Sequence, residues 1–599
     1  MKNAISMSLL ASGGLAAVSK PLNIPTPSIA LSGANLTTKW IDNTDLHQVL
    51  ELWVKNTDSK NFLTASHQFS VGVECDSLIT TEPGEVIRLA PGQHIKVQIG
   101  VKNKDGVAPG STCKSKVVAH YGNGDNAKTA TGDVSGSCGI PDYLPTTPSL
   151  GTHVTSDWFD NLKYGIFIHW GIYSVPGWGN IGDKENYAEW YWMWMQNKQD
   201  KTQTYQYHLN NYGTNFNYDQ FIANFTGKGF DAKSWVDLFA DAGAQYFVPT
   251  TKHHEGWALF NTSTSVSRRS VVQYGPKRDF LKELFDASKK YQPHLRRGTY
   301  FSLPEFFNAN FAKLPGAYFK NGAPKNPYTG KQIEYTGDLN HSDFIRDLQA
   351  PQMRELAYNY ETEMMWCDIG GPNNSSYVLS EWINWAKARG RQVVFNSRCG
   401  EGTQLPGDFK TPEYAPNPDA PLEKKWESSR GMDPHSYGYN SATPDAAYLT
   451  GEGIVTTLVD IVANNGNFLL DIGPRGDGSI PEIMQKNLRD AGQWINDRPE
   501  SIFNTTYWTA TAGKGKFRYT TNQAAFFIHY IGAPSKELAI TDPIPYLPGD
   551  KITALGGSQD GVEVPASWTS IGTLKLHLDD KMIAGDKYVW TFKIEYGNQ

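Results

Sequence analysis

The sequence predicts a mixed α/β chain: a (β/α)8-like barrel over residues 150–505, flanked by an N-terminal β-sandwich, 27–145, and a C-terminal β-sandwich, 506–599. Three observations lead there. At 599 residues the chain is too long for one ordinary core and reads as modular. Between residues 157 and 505, short apolar runs alternate with helical patterns, the rhythm of repeated βα units. Before and after that stretch the helical patterns vanish, and β-rich runs alternate with turn clusters.

Residues 1–20 hold a lysine followed by a mildly apolar stretch rich in small residues, which reads as a signal peptide and predicts a secreted, extracellular protein. No later run is expected to cross a bilayer. Sequons at Asn35, Asn224, Asn261, Asn373, Asn374 and Asn504 fit export. The N-terminal module is read from "LELWVKN", "EVIRLA" and "HIKVQIGVKN", broken by "PGQ", "NKDG" and "YGNGDN". It clusters no His, Asp or Glu, so a structural or carbohydrate-binding role is expected. "IPDYLPTTPSLGTH" is a Pro-rich linker. In the barrel region, "AKSWVDLFADAGA", "RDFLKELFDASKK" and "SSYVLSEWINWAKARG" carry helical spacing. The last module rests on "AAFFIHYIG", "TLKLHLDD" and "YVWTFKIEYG".

The formal charge of -6 lacks the basic excess that phosphate backbones require, which excludes nucleic acid as a partner. Aromatic content is 13%, and such rings offer flat apolar faces suited to sugars. Of five cysteines, one bridge is expected among Cys75, Cys113 and Cys138. Cys367 and Cys399 are expected buried and free at strand ends; without CxxC spacing no metal role is assigned.

Most apolar runs of the barrel region end in polar groups: "GIFIHWG" in His169, "QYFVPTTKHH" in His253 and His254, "RRGTYFS" in Tyr300 and Ser302, "MMWCD" in Asp368, and "QVVFNSR" in Arg398. In a parallel barrel these ends share one mouth. A carboxylate at the end of "MMWCD" is therefore where a barrel presents a reactive group, although the residue types alone also permit a helix cap. His253 and His254 are adjacent, so on a strand they would face opposite sides, which argues against a shared ion.

The ordered set "KYGIFIHWGIYSVPGW", "AEWY", "YFVPTTKHHEGWALF", "GTYFSLPEF", "MMWCDIGG", "VVFNSRCG", "GDFKTPEY", "KWESS" and "GNFLLDIGPRGDG" resembles the retaining α-L-fucosidases of glycoside hydrolase family 29. The resemblance covers most of residues 157–505. It implies an exo-acting enzyme that removes terminal α-L-fucosyl groups from oligosaccharides or glycoconjugates by double displacement, with no cofactor and no metal. Asp368 takes the nucleophile's position. Glu413 of "GDFKTPEY" takes that of the acid/base, with Glu427 of "KWESS" as the alternative; the plain reading of Glu427 is a hydrogen-bond partner beneath Trp426. His169, Glu189, Trp190, His253, His254, Tyr300 and Arg398 fall at sugar-contacting or carboxylate-orienting positions, and Trp366 lines the base.

Three departures from the family pattern stand out: "HHEGW" for HHDGF, "NSR" for NDR, and Ile369 between Asp368 and the glycines. Two rival readings are a fucose-binding lectin on an inactive barrel and a retaining glycosidase for another sugar. A binding protein gains nothing from opposed carboxylates.

Overall fold

The computed structural model describes residues 25–182, 186–400, 405–414, 423–569 and 572–597, so the leader expected over 1–20 lies outside the described residues. Its centre is a parallel sheet of seven strands: β1 Tyr164–Ile168, β2 Tyr246–Lys252, β3 Arg296–Ser302, β4 Met364–Asp368, β5 Val394–Phe395, β6 Trp426–Gly431 and β7 Gly466–Ile472. They run in the order β5-β4-β3-β2-β1-β7-β6, every neighbouring pair parallel. Strands such as "YGIFI" and "GNFLLDI" are buried along their whole length, as parallel strands covered on both faces must be.

The faces separate by parity. Phe167, Tyr246, Val248, Tyr300, Trp366 and Leu469 turn inward into one aromatic-rich cluster. Ile166, Phe247, Phe301, Met365, Phe468 and Leu470 turn outward into the large core shared with the helices. A single alternation therefore fills a barrel-like interior and seats an outer layer.

The outer helices are α1 Ala232–Asp241, α2 Phe280–Tyr291, α3 Ala350–Tyr358, α4 Ser375–Lys387, α5 Gly451–Ala463 and α6 Glu482–Asn496. Their starts follow local chemistry: Asp231 accepts from Ser234 N at 2.6 Å, Asp279 from Lys282 N at 3.0 Å and Thr450 from Gly453 N at 3.1 Å, each satisfying a donor that the first turn leaves free. One correction falls here. Asp445–Ala463 is long and apolar enough to span a bilayer, contrary to the expectation that no later run is, but Ile454, Val455 and Leu458 within it are buried in the large core.

Between β5 and β6 the described residues hold no α-helix, only the 3-10 turn Ser397–Gly400. Instead residues 408–414 run as an extended segment bonded to both flanks. Asp408 N donates to Phe395 O at 3.0 Å and Ser397 N to Phe409 O at 2.9 Å. On the other side Glu427 N donates to Lys410 O at 2.9 Å and Tyr414 N to Ser429 O at 2.9 Å. The bridges Asn396↔Phe409, Lys410↔Trp426 and Glu413↔Ser429 are all parallel.

Upstream, eight strands between Ile29–Trp40 and Lys128–Ser135 form one sheet. Its two edge strands, Leu78–Glu82 and Gly84–Leu89, are separated only by Pro83, so the sheet must curl until its edges meet around a core that includes Leu50, Val71, Ile99 and Val117. Cys113 and Cys138 are bonded and Cys75 is free. Downstream, a five-stranded and a three-stranded antiparallel sheet enclose Phe526, Ile528, Leu574 and Phe592. Arg88 of the first module forms a fully buried double hydrogen bond with Asp550 of the last, at 2.7 and 2.8 Å.

Cys367 and Cys399 form a disulfide rather than staying free. Spacing gave no hint of it, because the 32-residue separation is closed only when β4 and β5 pair as parallel neighbours and bring their C-terminal ends together. The bond ties the residue next to Asp368 to the residue next to Arg398.

Candidate active site

A pocket opens at the C-terminal ends of the strands. His169, Glu189, Trp190, His253, His254, Tyr300, Trp366, Asp368, Arg398 and Glu413 all line it. Glu427 does not.

Asp368 ends β4 with its side chain 11% exposed. Its Oδ2 accepts from the Tyr300 hydroxyl at 2.6 Å, and its Oδ1 accepts from Arg398 Nη1 at 2.6 Å and from Ile369 N at 2.9 Å. Burial opposes its ionisation, but the Arg398 charge and the Tyr300 and Arg398 hydrogen bonds outweigh it and hold the carboxyl below the usual aspartate value. The group is thus a rigidly held anion. Ile369 adopts φ +55°, the left-handed conformation that a β-branched residue seldom takes, and Gly371 follows at φ +99°. The isoleucine thereby occupies a turn where glycine is at ease, with a strain cost of about 1–3 kcal/mol, and its amide is aimed at Asp368.

Arg398 spans both candidate carboxylates. Its Nη2 lies 2.5 Å from Glu413 Oε1, its Nε and Nη2 donate to the Thr411 hydroxyl and carbonyl at 2.9 and 2.8 Å, and its plane sits 4.8 Å over Trp366. Glu413 leaves the extended segment bonded to β6 and is 32% exposed.

Glu427 lies one layer below, fully buried, accepting from the Tyr246 hydroxyl at 2.6 Å and from Trp366 Nε1 at 2.8 Å. Burial pushes its pKa up to about 7 despite those two donors. It supports Trp366, not Trp426, from beneath.

The three histidines are held differently. His169 Nδ1 meets Asp471 Oδ1 at 2.6 Å, and burial lowers the imidazole and raises the carboxyl. His254 Nδ1 is 2.7 Å from Ser302 Oγ, whose own proton goes to Pro304 O at 2.7 Å. The imidazole must therefore donate from Nδ1, and burial keeps it neutral, leaving Nε2 as an acceptor 3.6 Å from Asp368 Oδ2. His253 Nδ1 faces Glu255 Oε2 at 3.3 Å. His253 and His254 both line the pocket, their ring centres 3.9 Å apart, instead of facing opposite sides. The reason is that β2 ends at Lys252, so the pair lies in the turn beyond the strand, where alternation no longer holds.

Glu189 Oε2 accepts from Gly438 N at 2.8 Å, and burial raises its pKa. Trp190 stands edge-on to His254, with ring centres 5.3 Å apart. The pocket also includes Phe167, Tyr187, Ile369, Ser429 and Tyr437, which were not among the sequence candidates. Tyr187 lies two residues before Glu189 and could have been found with "AEWY". Tyr437, whose ring centre is 5.0 Å from that of His169, comes from a loop after β6 with no motif to mark it.

The alpha-L-fucosidase family model matches residues 137–500. Plasma alpha-L-fucosidase of Homo sapiens is 32% identical over 440 residues, which cover 72% of this chain and 86% of that protein. The alpha-L-fucosidase of Dictyostelium discoideum is 34% identical over 386 residues, 63% of this chain and 78% of that protein. Among solved structures, Thermotoga maritima alpha-fucosidase in complex with fucose superposes with a TM-score of 0.61 at 30% identity, covering 76% of this chain and all of that one.

Proposed function

The chain belongs to the α-L-fucosidase family of glycoside hydrolases, and from that premise we propose that it is an exo-acting retaining α-L-fucosidase in which Asp368 attacks C1 and Glu413 is the acid/base. The observation that carries the reading is the single guanidinium shared by Asp368 and Glu413. A shared fork keeps the two carboxyls close, which favours the retaining spacing of about 5 to 5.5 Å over the inverting one of about 6.5 to 9.5 Å.

One cation between two carboxylates leaves a net negative charge, so the site takes up one proton readily. Asp368 holds three donors and stays ionised, and the proton resides on Glu413, which is the more open to the leaving group. Attack by Asp368 forms the fucosyl ester while Glu413 protonates the departing oxygen. The ester formed at Asp368 removes its charge, and Glu413 then takes a proton from the water that frees fucose. His254 Nε2 accepts a sugar hydroxyl, and the aromatic walls take the apolar face and the C6 methyl.

Glu427 is set aside as the acid, since a proton on it has no path past Trp366 and Tyr246 into the pocket. We also read residues 408–414 as the eighth stave of a closed (β/α)8-like barrel, a reading that rests on their hydrogen bonds to β5 and β6. Secretion is supported by exposed sequons at Asn35, Asn224, Asn261, Asn374 and Asn504; Asn373 is buried and bonded to Gly371 O, so it is not an acceptor.

The test is proton NMR of an aryl α-L-fucoside during turnover. Retention predicts α-L-fucose as the first product; the β anomer first would make the enzyme inverting and remove Asp368 as nucleophile. Cleavage of a different aryl glycoside with none of the fucoside would overturn the sugar assignment.

A further inference from the structure

At the end of the sheet opposite the pocket, a cavity of about 900 Å³ lies between the three modules. The N-terminal module contributes Lys39 and Trp53, the C-terminal module Tyr507, and the barrel the residues just ahead of its strands, Asp160, Lys163 and Lys425.

The charges there are unevenly paired. Lys39 gathers three carboxylates, with Nζ 2.8 Å from Glu51, 3.0 Å from Asp157 and 3.1 Å from Asp160 Oδ2. Lys163 and Lys425, 3% and 8% exposed, have no ion pair within 4 Å among the described residues. Lys425 Nζ donates to the backbone carbonyl of Asp160 at 3.3 Å, and the Lys163 and Lys425 side chains hydrogen-bond to each other. Asp160 Oδ1 is buried and accepts no hydrogen bond. Burial lowers the pKa of both ammonium groups, and for Lys425 the adjacent Lys163 charge lowers it further. Lys163 sits at φ +52°, fixed by Phe468 N donating to its carbonyl at 2.7 Å, so backbone strain holds this side chain at the cavity wall.

Two adjacent buried lysines that form no ion pair within 4 Å, beside one unpaired acceptor, match a ligand that is an anion and still carries a proton. We infer that this cavity binds a protonated tetrahedral oxyanion, hydrogen phosphate free or as a sugar monoester, with Lys163 and Lys425 on its oxygens and its hydroxyl donating to Asp160 Oδ1. Sulfate has the same shape and no proton to give at this pH, so it is the discriminating probe. The cavity exceeds a bare ion, and Trp53 and Tyr507 in its wall offer faces for a sugar.

The test is titration calorimetry of the full chain at pH 6 with inorganic phosphate, sodium sulfate and glucose 6-phosphate. One equivalent of phosphate binds at least about tenfold more tightly than sulfate, Lys163→Met or Lys425→Met weakens it at least about tenfold, and Asp160→Asn erases the preference over sulfate. Turnover of an aryl fucoside stays unchanged in all three variants. Tighter binding of glucose 6-phosphate assigns the cavity to a sugar phosphate; equal or weaker binding assigns it to the free ion. No phosphate heat with the unaltered protein, or undiminished binding in Lys425→Met, overturns the site. Equal affinity for sulfate overturns the role of Asp160. Should the lysine variants fail to fold, the phosphate-to-sulfate ratio of the unaltered protein still decides.

Discussion

At the C-terminal ends of the parallel strands one guanidinium serves two carboxylates, whereas at the N-terminal ends two ammonium groups share a single neighbouring carboxylate that Lys39 already engages. What differs is how the fixed charges are paired. Two carboxylates around one guanidinium favour the positive charge that builds on a sugar ring as its glycosidic bond breaks. At the base, the two adjacent buried lysines that form no ion pair favour an anion.

The sharpest way to break this contrast is to remove one of the two carboxylates at the mouth. Asp368→Ala lowers kcat on an aryl α-L-fucoside by on the order of 10⁴-fold or more. Azide restores part of the turnover and yields the β-fucosyl azide, because a small anion enters the space the carboxylate vacated. Intact activity in the variant would take Asp368 out of the mechanism. Removing the other carboxylate separates the two roles. Glu413→Ala costs about 10²- to 10⁴-fold on natural glycosides and far less on an activated phenol, whose departure needs no proton. If Glu427→Ala gave that leaving-group pattern while Glu413→Ala did not, the two glutamates would exchange roles.

The mouth was more legible in the sequence than the base, and the reason is geometric. Strand-end residues such as His169, Tyr300, Asp368 and Arg398 follow apolar runs, so they could be listed without knowing which strands pair. Lys163 and Lys425 precede their strands inside charged stretches that look like ordinary surface; only the packing of two further modules buries them. The Cys367–Cys399 bond was hidden for a related reason, because strand pairing and not spacing creates it. The histidine pair was misread by extending strand alternation one turn too far, past Lys252. Glu413 was visible only through the resemblance of "GDFKTPEY", since its segment is too short and too polar to read as a strand.

A smaller effect sharpens the account of how the anion is held. Tyr300→Phe deletes one hydroxyl donor to Asp368, costing roughly 10- to 100-fold in kcat/KM, the size of a hydrogen bond to a charged group. Because that donor helps keep the Asp368 pKa low, the acid limb of the kcat/KM profile moves to higher pH in the variant. A loss of activity with an unmoved acid limb would reduce Tyr300 to a packing role.

The least change in turnover is expected from the residue lying between the two ends. Glu427 feels both Lys425 below and Arg398 above, yet burial leaves its pKa at about 7 against an ordinary 4.5. Between those values the unfolded chain has released the proton and the folded chain still binds it. The unfolded state binds fewer protons there, so stability falls as pH rises through the window, by roughly 3 kcal/mol in total. Glu427→Gln keeps an acceptor for Trp366 Nε1 and removes the titration. Its unfolding midpoint, measured from pH 4 to 8, loses that decline relative to the parent, while cleavage of the aryl fucoside persists. A parallel pH dependence in both proteins would mean that Glu427 is ionised throughout, with the cations at the two ends reaching further into the barrel than burial allows.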